Sequence, residues 1–209
     1  MKIRPEELET QGYQLLHQID IHDLKPFITE YMKKKNFYTL IYHILITLLL
    51  AALGFIAAQG VIKEDFTWYI FIVYLMLGVG LTFTLIPLHE FIHVLAYKWQ
   101  GAKQTSYDAN WKQFYFMALA HRFVANKKEF RIIAMAPFAF ISAVLVTAYF
   151  FANPLWEIVF LAMFLIHTLF CGGDFGLMSY MLTQKGKEVV TFDDVPHKTS
   201  YFYGKTLNN

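Results

Sequence analysis

Residues 68–99 decide the fold of this chain, and they read WYIFIVYLMLGVGLTFTLIPLHEFIHVLAYKW. The run is almost entirely apolar, and it is longer than the roughly 20 residues that a helix needs to cross the hydrocarbon core of a membrane. We therefore expect a transmembrane helix that is tilted or that extends into the cytoplasm past His93. Pro87 predicts a kink, because proline removes one backbone donor and crowds the preceding turn.

Near the end of this run lies the motif HExxH, from His89 to His93. On a helix these two imidazoles stand one turn apart on the same face, so they are suited to hold one Zn²⁺. Glu90 is then placed to accept a proton from the attacking water. The alternative is a structural histidine pair, but ionisable residues inside an apolar span are costly and are usually functional. The motif therefore predicts a catalytic zinc site.

The composition predicts a membrane protein. The chain is 56% hydrophobic and only 16% charged, whereas soluble proteins average about 25% charged residues. Its formal net charge of +2 comes without a basic stripe interleaved with aromatic residues, which argues against a nucleic-acid partner. Its single cysteine, Cys171, excludes an intrachain disulfide framework.

We predict an all-α polytopic membrane protein with about four transmembrane helices. The expected spans are residues 37–60, 68–99, 130–153 and 155–182. Together they form a metalloprotease domain over residues 37–183, between a cytoplasmic N-terminal segment, residues 1–36, and a cytoplasmic tail, residues 184–209.

Basic residues predict the orientation, since they concentrate in cytoplasmic segments. The first connection between spans holds only Lys63, beside Glu64 and Asp65, and the third connection holds no basic residue. The other three segments are rich in them: Lys2, Arg4, Lys25 and residues 33–35; Lys98, Lys103, Lys112, Arg122, Lys127 and Lys128; and Lys185, Lys187, Lys198 and Lys205. Both termini and the central loop are therefore expected in the cytoplasm.

In the central loop, residues 102–123 alternate polar and aromatic side chains. The alternation predicts a small β-hairpin that turns at Asp108-Ala109-Asn110, or else an amphipathic loop anchored at the membrane interface.

A catalytic zinc site takes three protein ligands, and the third is expected to be Asp174. A carboxylate within a span must be paired or must bind a metal, and neighbouring glycines allow another helix to approach closely. The alternative is an N-cap aspartate at a helix break. Three histidines are secondary candidates, either as ligands or as polar residues at helix interfaces: His167, His121 and His43. Cys171 either packs there or places a thiolate near the metal.

The pattern resembles a known family. An HExxH near the cytoplasmic end of one span and a later Gly-flanked aspartate resemble intramembrane metalloproteases of the site-2 protease type. The chain is more similar to the small bacterial DUF3267 family of zincin-type peptidases. The shared features are Gly12-Tyr13 with Asp20 and Asp23-Leu24, the HExxH followed by Gly101-Ala102, Ala136-Pro137, and Gly172-Gly173-Asp174. It lacks the Asn-Pro-x-x-Asp-Gly motif of the site-2 enzymes, since Phe175 follows Asp174.

The resemblance implies one catalytic zinc on His89, His93 and Asp174, with Glu90 as the base. The expected protein is an integral protein of the bacterial plasma membrane that hydrolyses peptide bonds in membrane or membrane-associated protein substrates. Two alternatives share the same metal residues. They are a non-proteolytic zinc-dependent membrane hydrolase and a catalytically silent metal-binding scaffold.

Overall fold

The computed structural model describes residues 2–110 and 115–207. Its helices are α1 (Leu24–Met32), α2 (Phe37–Ile62), α3 (Trp68–Thr82), α4 (Ile86–Trp99), α5 (Lys127–Phe150), α6 (Pro154–Phe170) and α7 (Gly172–Thr183). Its strands are β1 (Gln14–Asp20), β2 (Thr105–Asn110), β3 (Tyr115–Ala120), β4 (Ala125–Asn126), β5 (Lys187–Asp194) and β6 (Thr199–Thr206).

Within the described residues, three apolar helical stretches are long enough to cross a membrane: Phe37–Ile62, Trp68–Trp99 (α3, a short turn and α4) and Lys127–Phe150. The pair α6 and α7, bent by 45° at their junction, makes a fourth if it counts as one span. In α2 only 17% of the most apolar window is buried within the protein, so most of its apolar surface is available to lipid. A membrane protein with three to four spans is consistent with these helices.

The expected kink before the HExxH motif coincides with a change of helix type. A short 3-10 turn, Phe83–Leu85, joins α3 to α4, and Pro87 is in the first turn of α4. Proline is tolerated there because the first backbone N–H groups of a helix have no intrahelical partner.

The prediction of an all-α fold is wrong in one respect, because the chain also contains a four-stranded antiparallel sheet. Its strand order is β1-β6-β5-β4. It joins the segment before α2, the tail after α7 and the end of the loop between α4 and α5. One side of the sheet packs with α1, α5 and α7 around a core that includes Phe130, Tyr180 and Phe202.

The predicted hairpin is confirmed, but its predicted turn is wrong. Strands β2 and β3 pair antiparallel, with Asp108, Ala109 and Asn110 opposite Met117, Phe116 and Tyr115. The three residues assigned to the turn are thus part of β2. The residues that connect the two strands, 111–114, lie outside the described residues.

Two helices pack closely where a glycine removes the side chain. A Cβ at Gly78 of α3 would lie 2.6 Å from the backbone oxygen of Val159 and 2.8 Å from the Cβ of Ala162. The absence of a Cβ therefore lets α3 lie against α6. This contact holds α6, and with it the junction to α7, beside the α3–α4 pair, in which α4 carries the HExxH motif.

Candidate metal centre

Helix α4 presents the two histidines of the motif on one buried face. His89 and His93 are 9% and 8% exposed, and their Nε2 atoms are 3.1 Å apart. Residues four apart stack on the same side of a helix, so this proximity follows directly from the sequence spacing.

Asp174 joins the pair from α7. Its Oδ2 lies 3.4 Å from His89 Nε2, and its Oδ1 lies 3.4 Å from His93 Nε2. Cys171 is the N-cap residue of α7, and Asp174 is the third helical residue. The aspartate is therefore not the helix cap, and its carboxylate points to the two imidazoles.

The three donor atoms fit a zinc ion. Zinc prefers nitrogen and oxygen ligands at about 2.0–2.2 Å in tetrahedral geometry, which places neighbouring donors about 3.3 Å apart. The observed donor separations are 3.1, 3.4 and 3.4 Å. Three protein donors also leave a fourth tetrahedral position for water or substrate, which is typical of catalytic zinc sites.

Each imidazole also has a partner for its second nitrogen. His93 Nδ1 lies 2.9 Å from the backbone oxygen of Ile133 in α5, and it donates its proton there. His89 Nδ1 lies 3.3 Å from Nε2 of His167 in α6. Such outer contacts fix the orientation and the tautomer of metal-binding histidines.

Glu90 lies beside the donors with one oxygen unengaged. It is 9% exposed, and the backbone amide of Ala118 in β3 donates a hydrogen bond to its carboxylate. Among the described residues, its Oε2 atom has no hydrogen-bond partner. A buried carboxylate oxygen without a partner is costly, so a ligand or water is expected to occupy the space that it faces.

Two cavities meet at Glu90. One, of about 390 Å³, is lined by the metal donors, the β3 segment from Phe116 to Leu119, and polar residues that include Asp193. The other, of about 610 Å³, is mainly apolar and is lined by Phe83, Ile86, Phe91 and the β2–β3 hairpin. Glu90, Phe116 and Met117 line both, so the glutamate lies between a cavity of mixed lining and a mainly apolar one.

Asp193 adds a carboxylate to the cavity that holds the metal donors, and it was not anticipated from the sequence. Its carboxylate accepts a 2.7 Å hydrogen bond from Ser200 Oγ and one from the backbone amide of Ala120. Burial raises the pKa of Asp193 to about 6, against the lowering effect of these bonds. The residue was missed because its position depends on β5 approaching the end of β3, where His121 and Asp193 form an isolated bridge.

The secondary candidates differ in position. His167 is 1% exposed and belongs to a second cluster with His89 and Cys171. His121 lies elsewhere, with its Nδ1 accepting a 3.3 Å hydrogen bond from the backbone amide of Val195. His43 Nδ1 is 2.6 Å from the oxygen of Thr39 in its own helix. Neither belongs to the two clusters of potential metal donors found among the described residues.

Apolar spans around buried histidine and carboxylate donors are typical of membrane metalloproteins. The chain belongs to the DUF3267 family, described as "Putative zincin peptidase", whose model matches residues 82–190 of the 209-residue chain. The matched range contains the whole donor cluster and Glu90. The family assignment implies a metallopeptidase that uses zinc. No curated protein and no solved structure matches the chain.

Proposed function

We propose that this protein is a membrane-embedded zinc metallopeptidase that hydrolyses peptide bonds within or next to the membrane. The observation that carries the proposal is the position of Glu90. Its unengaged Oε2 lies beside three donors arranged for zinc, where two cavities meet. His89, His93 and Asp174 would hold the metal. Zinc would supply Lewis acidity that polarises the scissile carbonyl and makes water more acidic.

The proton transfers are assigned to Glu90. Its carboxylate accepts a proton from the attacking water and then delivers that proton to the leaving amine. The Ala118 amide holds one side of the carboxylate, so Oε2 is the atom that exchanges the proton. Burial keeps bulk water from competing for it.

Strand β3 is suited to present the substrate. The amides of Ala118 and Ala120 donate to Glu90 and Asp193 rather than to β2. Backbone groups alternate in direction along a strand, so these even-numbered residues turn theirs to the outer edge of the hairpin. A substrate segment that added as a strand would unwind locally, would replace these amide–carboxylate bonds with its own, and would lie beside Glu90.

The two cavities suggest how such a segment is oriented. Apolar side chains suit the compartment lined by Phe83, Ile86 and Phe91, whereas the compartment that contains Asp193 and Lys25 can also accept polar ones. We therefore infer that substrates are membrane or membrane-associated proteins, cleaved where an apolar segment gives way to a polar one.

The first test is Glu90→Gln, which keeps the size of the side chain but cannot accept the proton. We expect normal zinc content and a loss of turnover of about 10²–10⁴-fold, the usual contribution of general acid–base catalysis. Zinc is measured on the purified protein, and substrates are sought by proteomics of membranes from cells that carry each form. Glu64→Gln, in the exposed connection between α2 and α3, is the matched control.

Three results would argue against the proposal. Undiminished cleavage by Glu90→Gln would exclude the assigned base. Turnover of lipids or other amides without any cleaved protein would favour a non-proteolytic hydrolase. Zinc binding by the natural protein without turnover of any substrate would favour a metal-binding scaffold.

A further inference from the structure

The His89 ring has a different partner at each nitrogen. Its Nε2 faces His93 and Asp174, and its Nδ1 faces His167 Nε2 at 3.3 Å. We propose that His167 is a positioning residue, which accepts the Nδ1 proton of His89 and thereby keeps Nε2 of His89 free to bind the metal. The inference rests on the proposed function, because it assigns a metal to the His89–His93–Asp174 cluster.

The neighbouring histidine supports this role by comparison. His93 donates its Nδ1 proton to the Ile133 backbone oxygen at 2.9 Å, so its Nε2 is unprotonated. A metal-binding histidine requires such an acceptor, because only the unprotonated nitrogen coordinates. For His93 the acceptor is supplied by the backbone of α5. For His89 the equivalent position is occupied by the side chain of His167.

The surroundings of His167 suit an acceptor. The residue is 1% exposed, and its recorded hydrogen-bond contacts within the described chain are to His89 Nδ1 and Cys171 Sγ. With its own proton on Nδ1, the ring presents a lone pair at Nε2 toward His89. Removing this acceptor would leave the buried His89 N–H with only the Cys171 sulfur, a weak acceptor 4.0 Å away, and such a loss is costly in an apolar interior.

The bend between α6 and α7 makes the contact possible. In a straight helix, His167 and Asp174 would be seven residues, or about 10 Å, apart along the axis. The helix instead ends at Phe170 and resumes at Gly172 with a 45° change of direction. His167 therefore lies behind the His89 ring while Asp174 lies in front of it.

A second metal site is the competing interpretation. His89 Nδ1, His167 Nε2 and Cys171 Sγ are separated by 3.3, 3.7 and 4.0 Å, which also suits zinc. Such a site would require His89 to coordinate through both nitrogens and to lose both ring protons. A hydrogen bond from His89 to His167 needs no such ionisation, and for this reason a positioning role for His167 is favoured over a second metal site.

The test compares zinc affinity among variants of the full-length protein in detergent, by competition with a chelator of known affinity. His167→Leu removes the acceptor and should weaken zinc binding about 10–100-fold, as loss of such outer contacts typically does. His167→Gln keeps an acceptor oxygen and should recover most of the affinity. Thr168→Val is the matched control, the next residue of the same helix and equally buried, and it should bind zinc normally because its hydroxyl donates to the Phe164 backbone oxygen.

The absorption spectrum of the cobalt-substituted protein provides a second measurement. His167→Leu should change the cobalt bands, because the His89 ring is no longer fixed, whereas His167→Gln should preserve them. If His167→Leu fails to fold, His167→Phe keeps a ring without an acceptor nitrogen and is expected to show the same loss.

Two results would overturn the positioning role. One is natural zinc affinity in His167→Leu or His167→Phe. The other is two zinc ions per chain, with a sulfur-to-cobalt band that disappears in Cys171→Ala, which would establish the second metal site. Failure of the metal assignment is separately recognisable, since His93→Ala would then also bind zinc like the natural protein. Failure of the peptidase activity alone would appear as bound zinc without turnover.

Discussion

At the scale of single residues, the donors of the metal cluster depend on one another. His89, His93 and Asp174 lie in largely apolar helices, and each contributes one of three converging donor atoms. The carboxylate of Asp174 lies 3.4 Å from each of the two imidazoles. Loss of any one donor leaves the other two with too few ligands for a stable zinc site.

The equivalence of the donors leads to a prediction for Asp174. Asp174→Ala should lower zinc occupancy about as strongly as His93→Ala, because each removes one of three ligands. Zinc per chain, measured on the purified protein by elemental analysis, checks this. Asp65→Ala, on the exposed connection between α2 and α3, should leave occupancy unchanged. Normal zinc in Asp174→Ala together with loss in His167→Ala or His121→Ala would place the third ligand elsewhere.

The sequence predicted which side chains lie close together where their spacing along one helix, or the need of a buried charge for a partner, determines the answer. The proximity of His89 to His93 follows from the helical repeat, and a carboxylate at Asp174 within a span requires a partner. His167 was predicted only as a secondary candidate, because depth along a straight helix places it too far from Asp174. The 45° bend at residues 170–172 brings it close.

At the scale of elements, the fit of α3 against α6 holds the region of the site together. Gly78 allows the contact, since any Cβ there would meet the backbone of Val159. Gly80, two residues later in the same helix, has open space around the equivalent position. The two glycines therefore offer a matched comparison within one element.

We expect Gly78→Ala to destabilise the protein by about 1–3 kcal/mol, because the helices must separate to admit the methyl group. Its thermal unfolding temperature in detergent should fall by several degrees. Gly80→Ala should be neutral or slightly stabilising, since alanine is the better helix former. Equal unfolding temperatures for the two variants would show that the α3–α6 contact is not tight.

The sequence predicted helices better than strands, for a physical reason. A run of apolar residues is visible in the local sequence and predicts a helix directly. The third helix is Lys127–Phe150, three residues earlier at each end than the predicted 130–153. The Asn126 side chain fixes its start by accepting bonds from Lys128 and Glu129 amides. Strand β1 pairs with β6 across most of the chain, as in Gln14 with Gly204. Such a partner is not visible in any local pattern.

At the scale of the whole molecule, the sheet restricts how the helices cross a membrane. Strands β1, β4, β5 and β6 belong to the N-terminal segment, the loop after α4 and the tail, so all three lie on the same side. If α2, the α3–α4 pair and α5 each cross once, the chain leaves α5 on the opposite side. The bent pair α6 and α7 must then cross back as a broken span. A re-entrant loop would instead leave the tail on the opposite side of the membrane from β1 and β4.

The sheet does not determine on which side of the membrane the N-terminal segment, the central loop and the tail lie. The basic residues in these segments favour the cytoplasmic side. The prediction is tested by introducing single cysteines into a Cys171→Ala background and labelling intact cells with a membrane-impermeant maleimide. Glu64→Cys and Phe151→Cys, in the connections between spans, should be labelled from outside. Lys103→Cys and Lys185→Cys should be labelled only after permeabilisation. The opposite pattern would reverse the orientation, and labelling of Lys103→Cys and Lys185→Cys from different sides would contradict the broken span. Together with the cluster of His89 and Asp174, the expected pattern would place the metal site within reach of water from the cytoplasm.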